Sequence, residues 1–288
     1  QSGIFNVYAL NTDGSGEQQL TDSSTDAMLA VSWFPDDERF LFTADQGGNE
    51  LNHVYVMETD GEAVDLTPGE QHRASFLGWA GDYQSFYVQS NERDPRFFDV
   101  YEYRLSEGYP REMLFENQDS VYPDDISPDG QTMAVMALST TNDNDIYIQN
   151  LATGERHHVT PHEGNVFNLV SDWSPDSRFL YYTSDEGGEF QKLMRYDIAS
   201  AEKEEVLAMD WDIYSGRFSR EGEYFVVTAN VDARTELRLF QVDNIETGEM
   251  TEIDAPDLGG VNVSSVTFAP GDDRMAIYGS GSRIPSDL

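Results

Sequence analysis

The chain has no cysteine, which excludes a disulfide framework and any thiolate metal site. That fits a reducing cytoplasm, the compartment expected here. Lysine is almost missing, with Lys192 and Lys203 the only two. No apolar run approaches the roughly 18 residues of a membrane span. No cleavable signal is recognisable at the start, and a chain that begins with Gln1 rather than Met is expected to have lost its true N-terminus. A Gly-x-Ser-x-Gly nucleophile elbow is also missing. Gly279-Ser280-Gly281-Ser282 comes nearest, but it lacks the final glycine and a following helix, and it reads as a loop.

Charge of one sign dominates what is present. Asp and Glu number 54 against 17 Lys and Arg, a formal net charge of −37. Such a chain repels a phosphate backbone, which excludes nucleic-acid binding. The same repulsion excludes an anionic membrane surface. The acidic residues are spread along the whole chain rather than gathered in one tail, so they read as a solvated shell. Self-repulsion on this scale weakens a compact state unless salt screens it, and a salt-adapted, halophilic origin is expected.

An internal repeat organises the chain. Ser32-Trp33-Phe34-Pro35-Asp36-Asp37, Gly78-Trp79-Ala80-Gly81-Asp82 and Asp125-Ile126-Ser127-Pro128-Asp129-Gly130 align with one another. So do Asp172-Trp173-Ser174-Pro175-Asp176-Ser177, Arg217-Phe218-Ser219-Arg220-Glu221-Gly222 and Thr267-Phe268-Ala269-Pro270-Gly271-Asp272. Their anchors, from Trp33 to Phe268, recur at spacings of 46, 47, 47, 45 and 50 residues. A period near 47 with short strands matches propeller blades better than any helical repeat.

Each unit has the same grammar. An apolar stretch ends at the anchor, and a Pro-Asp-Gly-like turn reverses the chain. A nearly continuous apolar strand follows (39–43, 85–89, 132–137, 179–183, 224–228 and 274–278), as suits a strand buried on both faces. After a polar loop comes an alternating strand such as His53-Val54-Tyr55-Val56-Met57, and a Thr-Gly or Asp-Gly turn introduces a weaker fourth strand. The expected fold is an all-β propeller of four-stranded blades forming a single domain over residues 1–288. Residues 4–21 read as the third and fourth strands of one blade, and residues 263–279 as the first and second of another. Five complete blades then stand between two halves, giving six blades if the halves join and seven in a longer parent. The fragment is favoured, because Leu288 cuts a strand at its start and Ile4 duplicates that strand.

Several motifs that look chemical have plainer readings. His157, His158 and His162 fall on a fourth strand and the loop after it, not on a helix, so they are no zincin pair and no metal is expected. Asn142-Asp143-Asn144-Asp145 lacks the glycine and distant glutamate of an EF-hand loop, and Asx turns explain it. Ser127-Pro128-Asp129-Gly130 occupies the ordinary first hairpin of the repeat. No cofactor is expected.

The loops between second and third strands carry more. Ser90-Asn91-Glu92-Arg93-Asp94-Pro95-Arg96-Phe97-Phe98-Asp99, Asp185-Glu186-Gly187-Gly188-Glu189-Phe190, Asp210-Trp211-Asp212 and Asn230-Val231-Asp232-Ala233-Arg234-Thr235-Glu236-Leu237 resemble the propeller of the prolyl oligopeptidase family of serine peptidases, in its acylaminoacyl-peptidase and dipeptidyl-aminopeptidase-like branch. The Ser-Pro-Asp-Gly hairpins are also similar to TolB-type repeats. This resemblance implies an α/β-hydrolase catalytic domain beyond residue 288, oligopeptide substrates, and a non-catalytic propeller that gates them by size. Rim loops are where such scaffolds place contacts, so Glu92, Arg93, Asp94, Arg96, Glu189 and Arg234 are the expected substrate- or domain-contacting residues. The alternative is a stand-alone TolB-like interaction propeller. A propeller enzyme with its own central site ranks last, because the first strands offer mostly Trp, Phe and Ser.

Overall fold

The computed structural model describes residues 3–269, 271, 272, 274–281 and 284–287. These residues form strands and turns, with no helix among them. The chain divides into two compact units, residues 1–123 and 124–288.

In the first unit β1 (Tyr8–Ala9) pairs with β2 (Gln18–Gln19) in a two-stranded sheet. Next come β3 (Met28–Trp33), β4 (Phe40–Ala44), β5 (His53–Met57) and β6 (Ala63–Asp65), joined in that order. The strands β7 (Ala74–Trp79), β8 (Ser85–Asp94), β9 (Phe97–Arg104) and β10 (Arg111–Phe115) repeat the arrangement. Phe34 and Leu41, with Val54 and Val56, pack against Phe86, Val88, Tyr101 and Tyr103 of the next sheet.

The strand β11 (Tyr122–Ile126) leads into the second unit, pairing with β12 (Thr132–Thr140), β13 (Asp143–Asn150) and β14 (Arg156–His158). The next sheet holds β15 (Asn168–Trp173), β16 (Phe179–Ser184), β17 (Lys192–Asp197) and β18 (Lys203–Leu207). After it come β19 (Ile213–Phe218), β20 (Tyr224–Val231), β21 (Arg234–Asn244) and β22 (Glu249–Ile253). The last sheet is three-stranded, with β23 (Asn262–Phe268), β24 (Met275–Gly281) and β25 (Ile284–Asp287). Successive four-stranded antiparallel meanders are the blades of a β-propeller, as the 47-residue period implied.

The repeat grammar has a physical basis at each step. The second strands β4, β8, β16 and β20 are buried along most of their length, β16 at all six positions, whereas β24 buries only Gly279 and leaves Tyr278 41% exposed, contrary to the expectation for 274–278. The Ser-Pro-Asp turns are held by the serine: the Ser127 hydroxyl donates to Asp129 at 2.6 Å and accepts the Thr132 N–H at 3.0 Å. Ser174 makes the same pair of bonds with Asp176 and Phe179, at 2.6 and 2.8 Å. Turn chemistry therefore accounts for this motif. The β3–β4, β7–β8, β15–β16, β19–β20 and β23–β24 pairs each carry a register shift in the first strand, a bulge that sharpens the strand's twist.

Three sequence expectations need correction. Residues 91–96 and 230–235 are not loops: β8 and β9 extend until Asp94 faces Phe97, and β20 and β21 until Val231 faces Arg234. The second of these hairpins closes on Asp232 and Ala233, with φ of 48° and 62°, as a tight two-residue turn demands. Gly279, Ser280 and Gly281 belong to β24 rather than to a loop, while Ser282 lies outside the described residues. Asn144 is no surface Asx residue either. It is buried and exchanges amide hydrogen bonds with Asn168, linking β13 to β15.

Candidate functional site

Four of the six expected contact residues sit on the β8–β9 hairpin, and each has an internal partner. The Arg93 guanidinium forks onto Asp99 at 2.7 and 2.8 Å and also donates to the Asn117 carbonyl at 2.7 Å. Asp99 is completely buried and accepts the Asn117 N–H at 2.7 Å as well. Register explains this: alternation along β8 turns Arg93 back across the ladder, and Asp99 waits on β9. Glu92 takes two hydrogen bonds from Arg111, at 3.1 and 2.8 Å, and Arg111 lies over the Tyr101 ring at 4.7 Å. Asp94 and Arg96 face each other across the turn at 2.7 Å, and the Arg96 hydrogen bond pulls the Asp94 carboxyl down to about 2.

The other two stand apart. Glu189 lies exposed in the 185–191 loop, and Arg234 opens β21 with its guanidinium near Gly260. Neither has an ion-pair partner among the described residues. They are the free charges of the set, available to a ligand or a second domain at no cost to an existing pair.

The expectation that first strands offer mostly Trp, Phe and Ser does not hold in the second unit. Asp124 and Asp125 on β11, Asp172 on β15 and Arg217 on β19 occupy the first strands of three successive sheets, close enough to act on one another. Each aspartate residue keeps some solvent contact, yet its carboxyl group is set deep among protein atoms, and it is the surroundings of the charge that fix its pKa. Burial pushes Asp124 and Asp172 up to about 6, with Arg217 opposing the shift. Burial first, then the nearby Asp172, raises Asp125 well above the usual carboxylate range. Asp172 also fastens two sheets, accepting the N–H of Trp173 at 2.9 Å and of Phe218 at 2.7 Å. A sequence signal existed, since Asp125 and Asp172 each stand one residue before a repeat anchor.

This cluster sets a pH dependence. A folded pKa near 6 against about 3.9 in the unfolded chain means the folded state holds more protons between those values. Stability should therefore rise as pH falls from 8 through 6 and be lost again as pH climbs back. The Asp124 carboxyl makes no hydrogen bond among the described residues, so Asp124→Asn removes the penalty without breaking a side-chain contact. That variant should be more stable at pH 8, by about 1–2 kcal/mol after solvent screening, with a flatter slope. Thermal unfolding from pH 5 to 8 decides it: parallel curves for both proteins would show that general charge repulsion alone sets the slope.

The histidines act as pins. The His158 Nε2 lies 2.6 Å from Asp145, tying β14 to β13, and the His162 Nε2 lies 3.0 Å from Asp143, tying the 159–167 segment to β13. Among the described residues no group of three or more His, Cys, Asp or Glu is placed to hold a metal ion.

Residues 109–286 match the TolB beta propeller domain family, and residues 20–141 match the N-terminal region of dipeptidyl peptidase IV. A dipeptidyl aminopeptidase BIII of Pseudoxanthomonas mexicana is 24% identical over 281 residues, covering 96% of this chain and 40% of the relative. A prolyl endopeptidase structure superposes with a TM-score of 0.68 at 17% identity, over 98% of this chain and 46% of that one. TolB from Acinetobacter baumannii gives a TM-score of 0.54 at 18% identity, over 91% of this chain and 60% of that one. At those identities the solved structures speak for the fold alone. The chain spans less than half the length of the curated peptidase relative.

Proposed function

The chain belongs to the TolB β-propeller domain family, as a propeller of the prolyl oligopeptidase and dipeptidyl peptidase IV kind, and on that premise we propose that it is the non-catalytic, substrate-gating and docking propeller of a serine peptidase acting on oligopeptides. The observation that carries this reading is the match to a dipeptidyl aminopeptidase, which runs through 96% of this chain yet occupies only 40% of the peptidase. The chemistry of hydrolysis then belongs to an α/β-hydrolase domain of the same polypeptide. A nucleophile elbow needs a strand-to-helix turn, and the described residues contain no helix on which to build one. Residues 1–288 alone should accordingly take up no serine-directed fluorophosphonate probe. Stoichiometric labelling of one serine would reveal a nucleophile in this chain.

Within this reading Glu189 and Arg234 make the contacts to peptide or catalytic domain, because they are the unpaired charges of the six. A free guanidinium suits two-point capture of a carboxylate. In the full-length peptidase, Arg234→Ala should lower kcat/KM for short peptides at least several-fold while leaving the melting temperature unchanged. Asp129→Asn, in a turn, is the control and should leave turnover alone. Equal turnover in both variants removes Arg234 from the site. The TolB-like alternative, a stand-alone interaction propeller, is supported by the TolB beta propeller domain match over residues 109–286. A Gly-x-Ser-x-Gly codon run downstream of Leu288 supports the peptidase, and a stop codon there supports the scaffold.

A further inference from the structure

The segment 159–167 joins β14 to β15, and one side chain on it makes more bonds than a neutral histidine can supply. The His162 Nδ1–H donates to the Thr160 carbonyl at 2.8 Å, and the Nε2–H donates to the Asp143 carboxylate at 3.0 Å. A carbonyl and an ionised carboxylate only accept, whereas a neutral imidazole has one N–H. Both bonds exist together only when the ring carries two protons. Asp145 adds a second negative charge 3.5 Å from Nδ1, and itself lies 2.6 Å from His158 on β14. The His162 side chain is 7% exposed, so water is poorly placed to replace either partner. The first unit supplies a contrast. Thr67 and Thr160 hold the same place in their repeats, each hydroxyl taking a third-strand N–H, from Val54 at 3.0 Å and from Ile146 at 2.8 Å. There the His72 Nε2 meets the Thr67 carbonyl at 3.0 Å, a bond that needs one ring proton.

The doubly bonded ring stands at a junction. Asp143 opens β13, and the carboxylate oxygen that takes the His162 bond also accepts the Val166 N–H at 3.3 Å. The Asn144 N–H reaches the Val166 carbonyl at 3.0 Å, so the far end of the segment is pinned to the same strand. Phe167 then fastens the loop of the next sheet. Its N–H donates to Asp185 at 2.8 Å, and its carbonyl accepts from the Gln191 side chain at 3.0 Å. Asp185 and Gln191 are the two ends of the loop that carries Glu189. Burial alone would lower the His162 pKa, but the bonds to Asp143 and the Thr160 carbonyl, with the charge of Asp145, more than reverse this and leave it raised. The partnership is reciprocal, since the His162 bond holds the Asp143 carboxyl below its ordinary range.

We propose that His162 is a proton-operated latch: as an imidazolium it closes the 159–167 segment onto the start of β13 and, through Phe167, holds the 185–191 loop, and on losing a proton it releases both. The charged groups that face the ring are Asp143 and Asp145 from β13, with His158 of β14 behind Asp145, while Glu163 beside it in the chain is exposed. A neutral ring keeps one of its two donations and turns a lone pair towards the other acceptor, which opposes closure. A histidine whose pKa is raised by closure contributes fully below about 6.5, its value in an open segment. That contribution is lost as pH rises through the raised value. Loop order is a property of residues 1–288 alone and is independent of which ligand Glu189 meets.

Amide deuterium uptake by residues 1–288 in molar salt follows both segments at once, each peptide being normalised at every pH to the same peptide from the unfolded chain. From about pH 6 to 8.5 the protection of 159–167 and of 185–191 should fall together by at least ~3-fold, since each pKa unit gained on closure is worth about tenfold. The buried strand β16 should stay protected throughout. His162→Gln has no ring proton to lose and should abolish this fall, whereas the carboxyl groups of Asp124 and Asp172, which titrate near 6, are untouched in that variant. Asp143→Asn keeps an acceptor for the Val166 N–H but removes the charge that faces the ring, so the midpoint should move to lower pH. Protection of either segment that ignores pH in the parent chain overturns the proposal, as does an equal fall in His162→Gln or an unmoved midpoint in Asp143→Asn. A parallel fall across β16 would be general loosening and overturns it too.

Discussion

Raising salt from low millimolar to molar concentration should raise the melting temperature of this chain by at least ~10 °C. The cause is the formal charge of −37 on 288 residues, which sets carboxylates against one another over the whole surface. The few cations do little to relieve it, because most are committed locally. Lys192 pairs with Glu205 at 3.2 Å and Lys203 with Glu186 at 3.3 Å, while Arg195, Arg238 and Arg104 face Glu204, Glu252 and Glu112 across adjacent strands. Salt also weakens these exposed pairs, but each is worth only about 0–1 kcal/mol. Relief of long-range repulsion, which falls off beyond a Debye length of ~10 Å at 0.1 M salt, is the larger effect. Sucrose is the control, since an excluded cosolute favours any compact state without screening charge. A melting temperature that is flat or falling in potassium chloride, or one that sucrose raises equally, would remove the electrostatic explanation.

The repeat was legible because turn chemistry is local. Ser127, Ser174 and Ser219 each bond the backbone five residues on, so the same few residue types recur wherever the chain reverses. The hairpin ends were not legible, and the reason is tertiary. Asn91-Glu92-Arg93-Asp94 has the composition of a solvated loop, and only the pairing of Asp94 with Phe97 and of Ser90 with Asp99 extends the strand through it. The carboxylate cluster was overlooked for a related reason. An aspartate beside a turn reads as a turn residue by default, and nothing local says that Asp125 and Asp172 come from strands that lie side by side. Glu189 and Arg234 could be named from sequence, but their freedom from ion pairs is a fact of the fold.

Asp99→Ala should cost about 2–4 kcal/mol of stability, the largest loss expected from any single polar side chain on the β8–β9 hairpin. Asp99 is fully buried and accepts three hydrogen bonds: two from the Arg93 fork and one from the Asn117 N–H. Removing the carboxylate leaves that backbone donor unsatisfied beside Asn117, itself 1% exposed, and releases the segment that leads towards β11. The cost stays below that of a fully buried pair because the Arg93 side chain is 31% exposed, so water takes over part of its charge. Arg93 raised as a recognition residue is thus a lock for its own hairpin first, and a loss of peptide turnover in Arg93→Ala would report lost structure. Arg96→Ala separates the two effects. Its guanidinium is largely exposed, pairs with Asp94 and lies over the Phe97 ring at 4.8 Å within the same turn, so its removal should leave stability nearly unchanged. Urea unfolding of both variants at fixed molar salt is the measurement, with the midpoint expected to fall for Asp99→Ala at an unchanged m-value. Coincident curves for Asp99→Ala and the parent chain would show that Arg93 is not held by this pair and would return it to the set of free rim charges with Glu189 and Arg234.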